Sequence, residues 1–71
     1  MKLSEKFAIV GDLVDQICKS YNGGAGIIFE YERGIHNDCW YFDCADLGCH
    51  TFTGFDLFVS FLKDVIIRQD K

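Results

Sequence analysis

Two histidines and three cysteines lie close together in the middle of the chain, and side chains of these types readily bind zinc. They are His36, Cys39, Cys44, Cys49 and His50. Structural zinc sites use thiolates and imidazoles in tetrahedral sets, with paired ligands commonly about two to four residues apart. No C-x-x-C pair occurs here. Cys39 and Cys44 also have opposite parity on one predicted strand, so their side chains point to opposite faces. The spacing therefore predicts no metal site and no cofactor.

Residue patterns for catalysis are equally weak. A cysteine nucleophile needs a histidine within hydrogen-bond reach. Cys49 and His50 are adjacent on a predicted strand, so they too point to opposite faces. Carboxylate pairs such as Glu30 and Glu32 are more typical of a solvated sheet face, and so short a chain has little volume for a cleft. We therefore expect a protein that is not an enzyme.

The length and composition predict a single small domain. The 71 residues form one domain, 1–71, near the lower size limit for a single core. Hydrophobic residues make up 49% and aromatic residues 15% of the sequence, which excludes a disordered chain. The apolar runs are too short to span a bilayer, and no secretory signal is seen. We expect a cytoplasmic protein whose cysteines stay reduced.

The net charge of −4 is unevenly distributed. The segment from Glu30 to Asp56 contains six acidic residues and one basic residue, Arg33, which gives it a charge of −5. Direct binding of nucleic acid needs a basic stripe, so this segment argues against it. A basic surface on a partner protein is the better electrostatic match.

Apolar residues at helical spacing predict a helix at each end of the chain. The last helix, from Thr53 to about Gln69, is the most apolar, and Thr53 with Asp56 has the form of a capping box. The first helix is predicted from about Glu5 to Tyr21, with Ser4 as its N-cap. The apolar face of the last helix comprises Leu57, Phe58, Phe61, Leu62, Val65 and Ile66; that of the first comprises Leu3, Phe7, Val10, Val14, Ile17 and Tyr21, with Leu13 beside it.

Between the helices the pattern alternates, which predicts three strands, Ala25 to Arg33, Cys39 to Ala45 and Cys49 to Phe52. The order α-β-β-β-α implies an α+β fold in which both helices pack on one face of a three-stranded antiparallel meander. Double-stranded RNA-binding domains have the same order, but this chain lacks their lysines at the start of the last helix. If the register matches, the opposite face displays one acidic group: Glu30, Glu32, Tyr41 and Asp43.

The segment from Asp46 to Gly54, with the apolar helix that follows, resembles the characteristic stretch of HicB-type antitoxins. In that family an acidic residue, a leucine, a glycine and often a cysteine lead through a short strand to a glycine and a helix. The resemblance covers about a third of the chain; the turn proline of the family is absent, and Phe58 and Val59 replace its acidic and alanine residues. It implies a small acidic protein that masks a basic, RNA-cleaving partner.

These observations predict a non-enzymatic inhibitor that covers a basic, nucleic-acid-handling surface of another protein. Phage and mobile-element inhibitors, including anti-CRISPR proteins, are similar in size and charge. The residues expected to contact the partner are Glu30, Glu32, Tyr41, Asp43 and Asp46. Two alternatives remain: a HicB-like antitoxin, and a homodimeric structural or regulatory module. The dimer would use Val59 and Ile67, which leave the apolar girdle of the last helix too wide for one small core to cover.

Overall fold

The computed structural model describes residues 1–20, 26–45 and 47–69. One helix precedes and one helix follows a three-stranded antiparallel sheet in the chain. This order, α-β-β-β-α, confirms the predicted α+β fold. The sheet is a simple meander in which the middle strand pairs with both neighbours. The elements are α1 (Leu3–Ser20), β1 (Ile28–Glu32), β2 (Cys39–Cys44), β3 (Gly48–Phe52) and α2 (Phe55–Gln69).

Helix α1 begins two residues before the predicted start, and Lys2 rather than Ser4 caps it. The carbonyl oxygen of Lys2 accepts hydrogen bonds from the backbone N–H groups of Glu5 and Lys6, both at 3.1 Å. In return, the Lys2 N–H donates to Oε1 of Glu5 at 3.3 Å. Glu5 thus supplies the carboxylate half of a capping box, and Ser4 lies inside the first turn. The predicted last residue, Tyr21, lies outside the described residues.

Helix α2 begins at Phe55, so the predicted capping box of Thr53 and Asp56 is wrong. The first helical hydrogen bond runs from the N–H of Phe58 to the carbonyl oxygen of Gly54 at 3.3 Å, which places Gly54 at the N-cap. In a capping box the carboxylate residue lies three positions after the cap, whereas Asp56 lies only two positions after Gly54. The φ angle of Gly54 is 152°, a conformation that glycine adopts and that L side chains rarely do.

The core lies between the helices and one face of the sheet. The largest fully buried side chains, Trp40, Phe42 and Phe58, come from β2 and α2. The Trp40 ring lies 5.5 Å from Phe58 and 4.8 Å from Tyr31, measured between ring centroids. The buried cluster comprises Val10, Leu13, Val14, Ile17, Trp40, Phe42, Cys44, Phe58, Leu62 and Val65. Packed aromatic rings therefore hold the helices against the sheet.

One member of the predicted apolar face of α2 is exposed to solvent. Leu57 is 59% exposed, because successive helical residues are about 100° apart. The buried face is centred on Phe58, Leu62 and Val65, which puts Leu57 about a quarter turn away from it. The helical spacing predicts the buried face correctly, but the centre of that face lies farther from Leu57 than predicted.

Candidate docking face

The sheet face that points away from the helices gathers most of the predicted partner-binding residues. In the register of β1 with β2, Glu30 lies opposite Tyr41 and Ile28 lies opposite Asp43. In β3, Thr51 pairs with Tyr41. Because side chains alternate along a strand, all of these share one face. We call this the outer face: Ile28, Glu30, Glu32, Cys39, Tyr41, Asp43, Cys49 and Thr51.

Every charged residue of the outer face is acidic. Glu30, Glu32 and Asp43 are all exposed, and within the described residues none of them forms an ion pair with a lysine, arginine or histidine. Their charges are therefore not neutralised by basic side chains of the described chain. Asp46, the remaining predicted contact residue, lies outside the described residues. The outer face thus presents accessible negative charge from two neighbouring strands.

Tyr41 stands in the middle of the outer face and is held by a carboxylate. Its hydroxyl donates a hydrogen bond to Oε2 of Glu32 at 2.6 Å. Loss of the phenolic proton would break this bond and place a second negative charge beside the carboxylate. For this reason Glu32 raises the pKa of Tyr41 to about 12. The tyrosine therefore stays neutral, and its hydroxyl donates the hydrogen bond to Glu32, over the whole physiological pH range.

Cys49 forms the second side-chain pair of the outer face. Its thiol donates to Oδ1 of Asp43 at 3.3 Å, and this bond to a carboxylate raises the pKa of the thiol. A raised pKa lowers the thiolate fraction at neutral pH, whereas nucleophilic cysteines have lowered values. His50 packs on the other face, where its ring lies 4.7 Å from that of Phe61. The geometry thus separates the adjacent cysteine and histidine, as strand parity predicted.

Cys18, Cys39, Cys44 and Cys49 are free thiols, and none of them forms a disulfide. Cys39 and Cys49 share the outer face, but Cys49 pairs with Asp43, four residues along β2 from Cys39. At about 3.3 Å per residue, the two cysteines are roughly 13 Å apart along the strand direction, too far for a disulfide. In the part of the chain that the structure describes, no three His, Cys, Asp or Glu side chains converge on a metal position.

A shallow depression of about 310 Å³ opens on the outer face. It lies beside Tyr41, toward the end of the sheet where Ile28, Asp43 and Cys49 meet. Neither Glu32 nor Cys39 lines it. The sequence predicts neither Ile28 nor the β3 residues Cys49 and Thr51 as site residues. The alternation along β3 indicates that Cys49 and Thr51 share one face of the strand. Only the register of β3 with β2 shows that this is the outer face.

The two residues predicted for self-association differ in accessibility. Val59 is half-buried and packs against the core, whereas Ile67 is 59% exposed. Part of the Val59 side chain is thus already buried within the domain, which leaves less of it for contact with a second copy. Within the described residues, neither helix is both long and apolar enough to cross a membrane.

The fold and the outer face define a small α+β domain that carries an acidic sheet surface. No protein-family model matches the chain. Searches of the curated proteins and of the solved structures also find no match. The resemblance to HicB-type antitoxins therefore remains a prediction, and the function must be inferred from the outer face itself.

Proposed function

We propose that this chain is a non-enzymatic binding protein whose outer face docks on a basic surface of another protein. The observation that supports this most directly is the register of β1 and β2, which brings Glu30, Glu32 and Asp43 together on one exposed face. Tyr41 lies among them, and tyrosine is enriched at the centres of protein interfaces. A face with this charge attracts a positively charged partner over long range and speeds its association.

The partner class follows from the same charge. Protein surfaces with dense positive charge are above all those that hold the phosphates of nucleic acids. A protein that covers such a surface competes with the nucleic acid, so the proposed role is inhibition, of the kind found in phage inhibitors and antitoxins. A HicB-like antitoxin would be a special case in which the masked partner cleaves RNA.

The proposal is tested by neutralising the outer face and comparing the result with a matched control. The double variant Glu30→Gln/Asp43→Asn removes two negative charges from the face. The control Asp12→Asn/Asp15→Asn removes two from the exposed side of α1. All three proteins serve as bait for capture from a lysate of the source cells. We expect the same basic protein with the wild type and the control, and its loss with the face variant.

The captured partner is then purified and its affinity measured directly. We expect binding to weaken severalfold between about 0.05 M and 0.5 M NaCl, because salt screens exposed charges. Nucleic acid should compete with the wild-type chain for the partner. An affinity that is unchanged by salt, or equal losses in the face variant and the control, would contradict the proposal.

Self-association remains the second candidate because Ile67 exposes 59% of its surface on α2. Light scattering after size exclusion measures the mass in solution. A dimer that dissociates in Ile67→Glu would favour this candidate. A monomer with an unchanged elution volume would leave the outer face as the better-supported surface.

A further inference from the structure

The depression on the outer face has a wall that is already fixed in place. The Tyr41 hydroxyl bonds to Glu32, which pairs with Cys39 at one end of the sheet. This bond draws the ring toward that end and leaves the other end open. The depression lies at the open end, with the Tyr41 ring as one boundary and Ile28 and Asp43 at the far side. A group that binds in the depression would therefore meet a Tyr41 ring that is already held in position, so binding does not have to order it.

The lining of the depression is largely apolar. The side chain of Ile28 is 55% exposed, and Tyr41 and Thr51 line the depression together with it. At about 310 Å³, the depression is near the lower end of ligand-site volumes, about 300–1,000 Å³. It accommodates a long side chain rather than a cofactor. Apolar surface of this kind suits the methylene stem of a basic residue.

Two carboxylates flank this apolar surface. Glu30 and Asp43 stand on neighbouring strands and are diagonal neighbours in the register, a relation that places their Cβ atoms up to about 7–8 Å apart. A purely apolar occupant would strip water from these charges without replacing their hydrogen bonds. An anion would be repelled. The charge complement is a cation that donates several hydrogen bonds, one toward each carboxylate.

We propose that the depression binds an arginine side chain of the partner protein. The guanidinium would stack on the Tyr41 ring and donate to Glu30 and Asp43, while its methylene stem covers Ile28. Arginine suits these surroundings better than lysine because its planar group both stacks on aromatic rings and donates in two directions. This inference rests on the proposed function and deepens it, since it specifies which chemical group of the basic surface is recognised.

The test uses a short acetylated and amidated peptide of alternating arginine and glycine, titrated into ¹⁵N-labelled protein. Matched peptides carry lysine, or citrulline, which keeps the shape of arginine but lacks its charge. We expect the arginine peptide to shift the amide signals of Ile28 and Thr51 and to bind roughly two- to fivefold tighter than the lysine peptide. The citrulline peptide should leave the signals unchanged. Equal affinities for arginine and lysine would overturn the inference.

Two variants of Tyr41 separate stacking from general attraction. Tyr41→Phe keeps the ring but loses the hydroxyl bond that holds it in place, so the preference for arginine should weaken, whereas Tyr41→Leu should abolish that preference. Thermal melting of both variants shows whether each is folded. If Tyr41→Leu retains the preference, or if none of the peptides binds, the arginine site is refuted. The proposed function fails separately, if Glu30→Gln/Asp43→Asn still captures the partner as well as the wild type does.

Discussion

The hydrogen bond between Tyr41 and Glu32 predicts a large change in the titration of one tyrosine. The bond length is 2.6 Å, and the carboxylate raises the pKa of Tyr41 from 10.0 to about 12. In the variant Glu32→Gln the neighbouring charge is gone, so the value should return toward 10. At about pH 11, roughly one tenth of Tyr41 would be ionised in the wild type and about nine tenths in the variant.

Carbon-13 NMR of the tyrosine Cζ atoms measures this titration for each ring separately, and circular dichroism shows whether the fold persists at each pH. Because the folded-state pKa is raised, the bond contributes stability fully below about pH 10. That contribution is lost as the pH rises from about 10 to about 12. Titration of Tyr41 near its ordinary value in the folded wild type, or identical curves for wild type and Glu32→Gln, would refute the reasoning.

Three further predictions concern the core, α1 and the exposed thiol. Phe58→Ala should lower the free energy of unfolding by about 3–5 kcal/mol, because the ring is fully buried. The control Leu57→Ala, at an exposed position, should change it by no more than about 0.5 kcal/mol. Urea denaturation measures both values, and equal losses in the two variants would contradict this prediction. Gly11→Ala should stabilise the protein by about 0.5–1 kcal/mol, since the added Cβ meets nothing within 4 Å in the helix; a lower melting temperature would count against it. Asp43→Asn should speed alkylation of Cys49 at about pH 8, because the carboxylate raises the pKa of the thiol; peptide mass spectrometry measures the rate, and an unchanged rate would exclude the assigned cause.

Alternation along β1 and β2 predicted which of their residues lie on the outer face. Once Trp40 and Phe42 are assigned to the core, Tyr41 and Asp43 must face the other way. Burial of the two rings also excludes a register slip of one residue, because such a slip would expose them. The register that the structure adopts, with Glu30 opposite Tyr41, is one that keeps both rings inside.

Features that depend on local geometry could not be predicted in the same way. Thr53 and Asp56 satisfy the capping pattern in sequence, but the chain turns at Gly54, whose φ angle lets the helix start one residue later. The bond from Cys49 to Asp43 likewise joins residues of two strands, so the sequence spacing alone does not show it. The depression beside Tyr41 depends on where its ring leans, which the hydroxyl bond decides.

Trp40 is the only tryptophan of the chain, and it lies on the helix side of the sheet, fully shielded from solvent. Among the described residues its indole N–H has no hydrogen-bond acceptor, and aromatic rings surround it, with Phe7 at 5.3 Å and Phe55 at 5.7 Å. Its emission should consequently be blue-shifted in the native protein and move to longer wavelength when the chain denatures. Occupancy of the opposite surface would leave that spectrum unaltered. The molecule thus contains an intrinsic fluorophore that distinguishes a misfolded variant from one that has merely lost its partner.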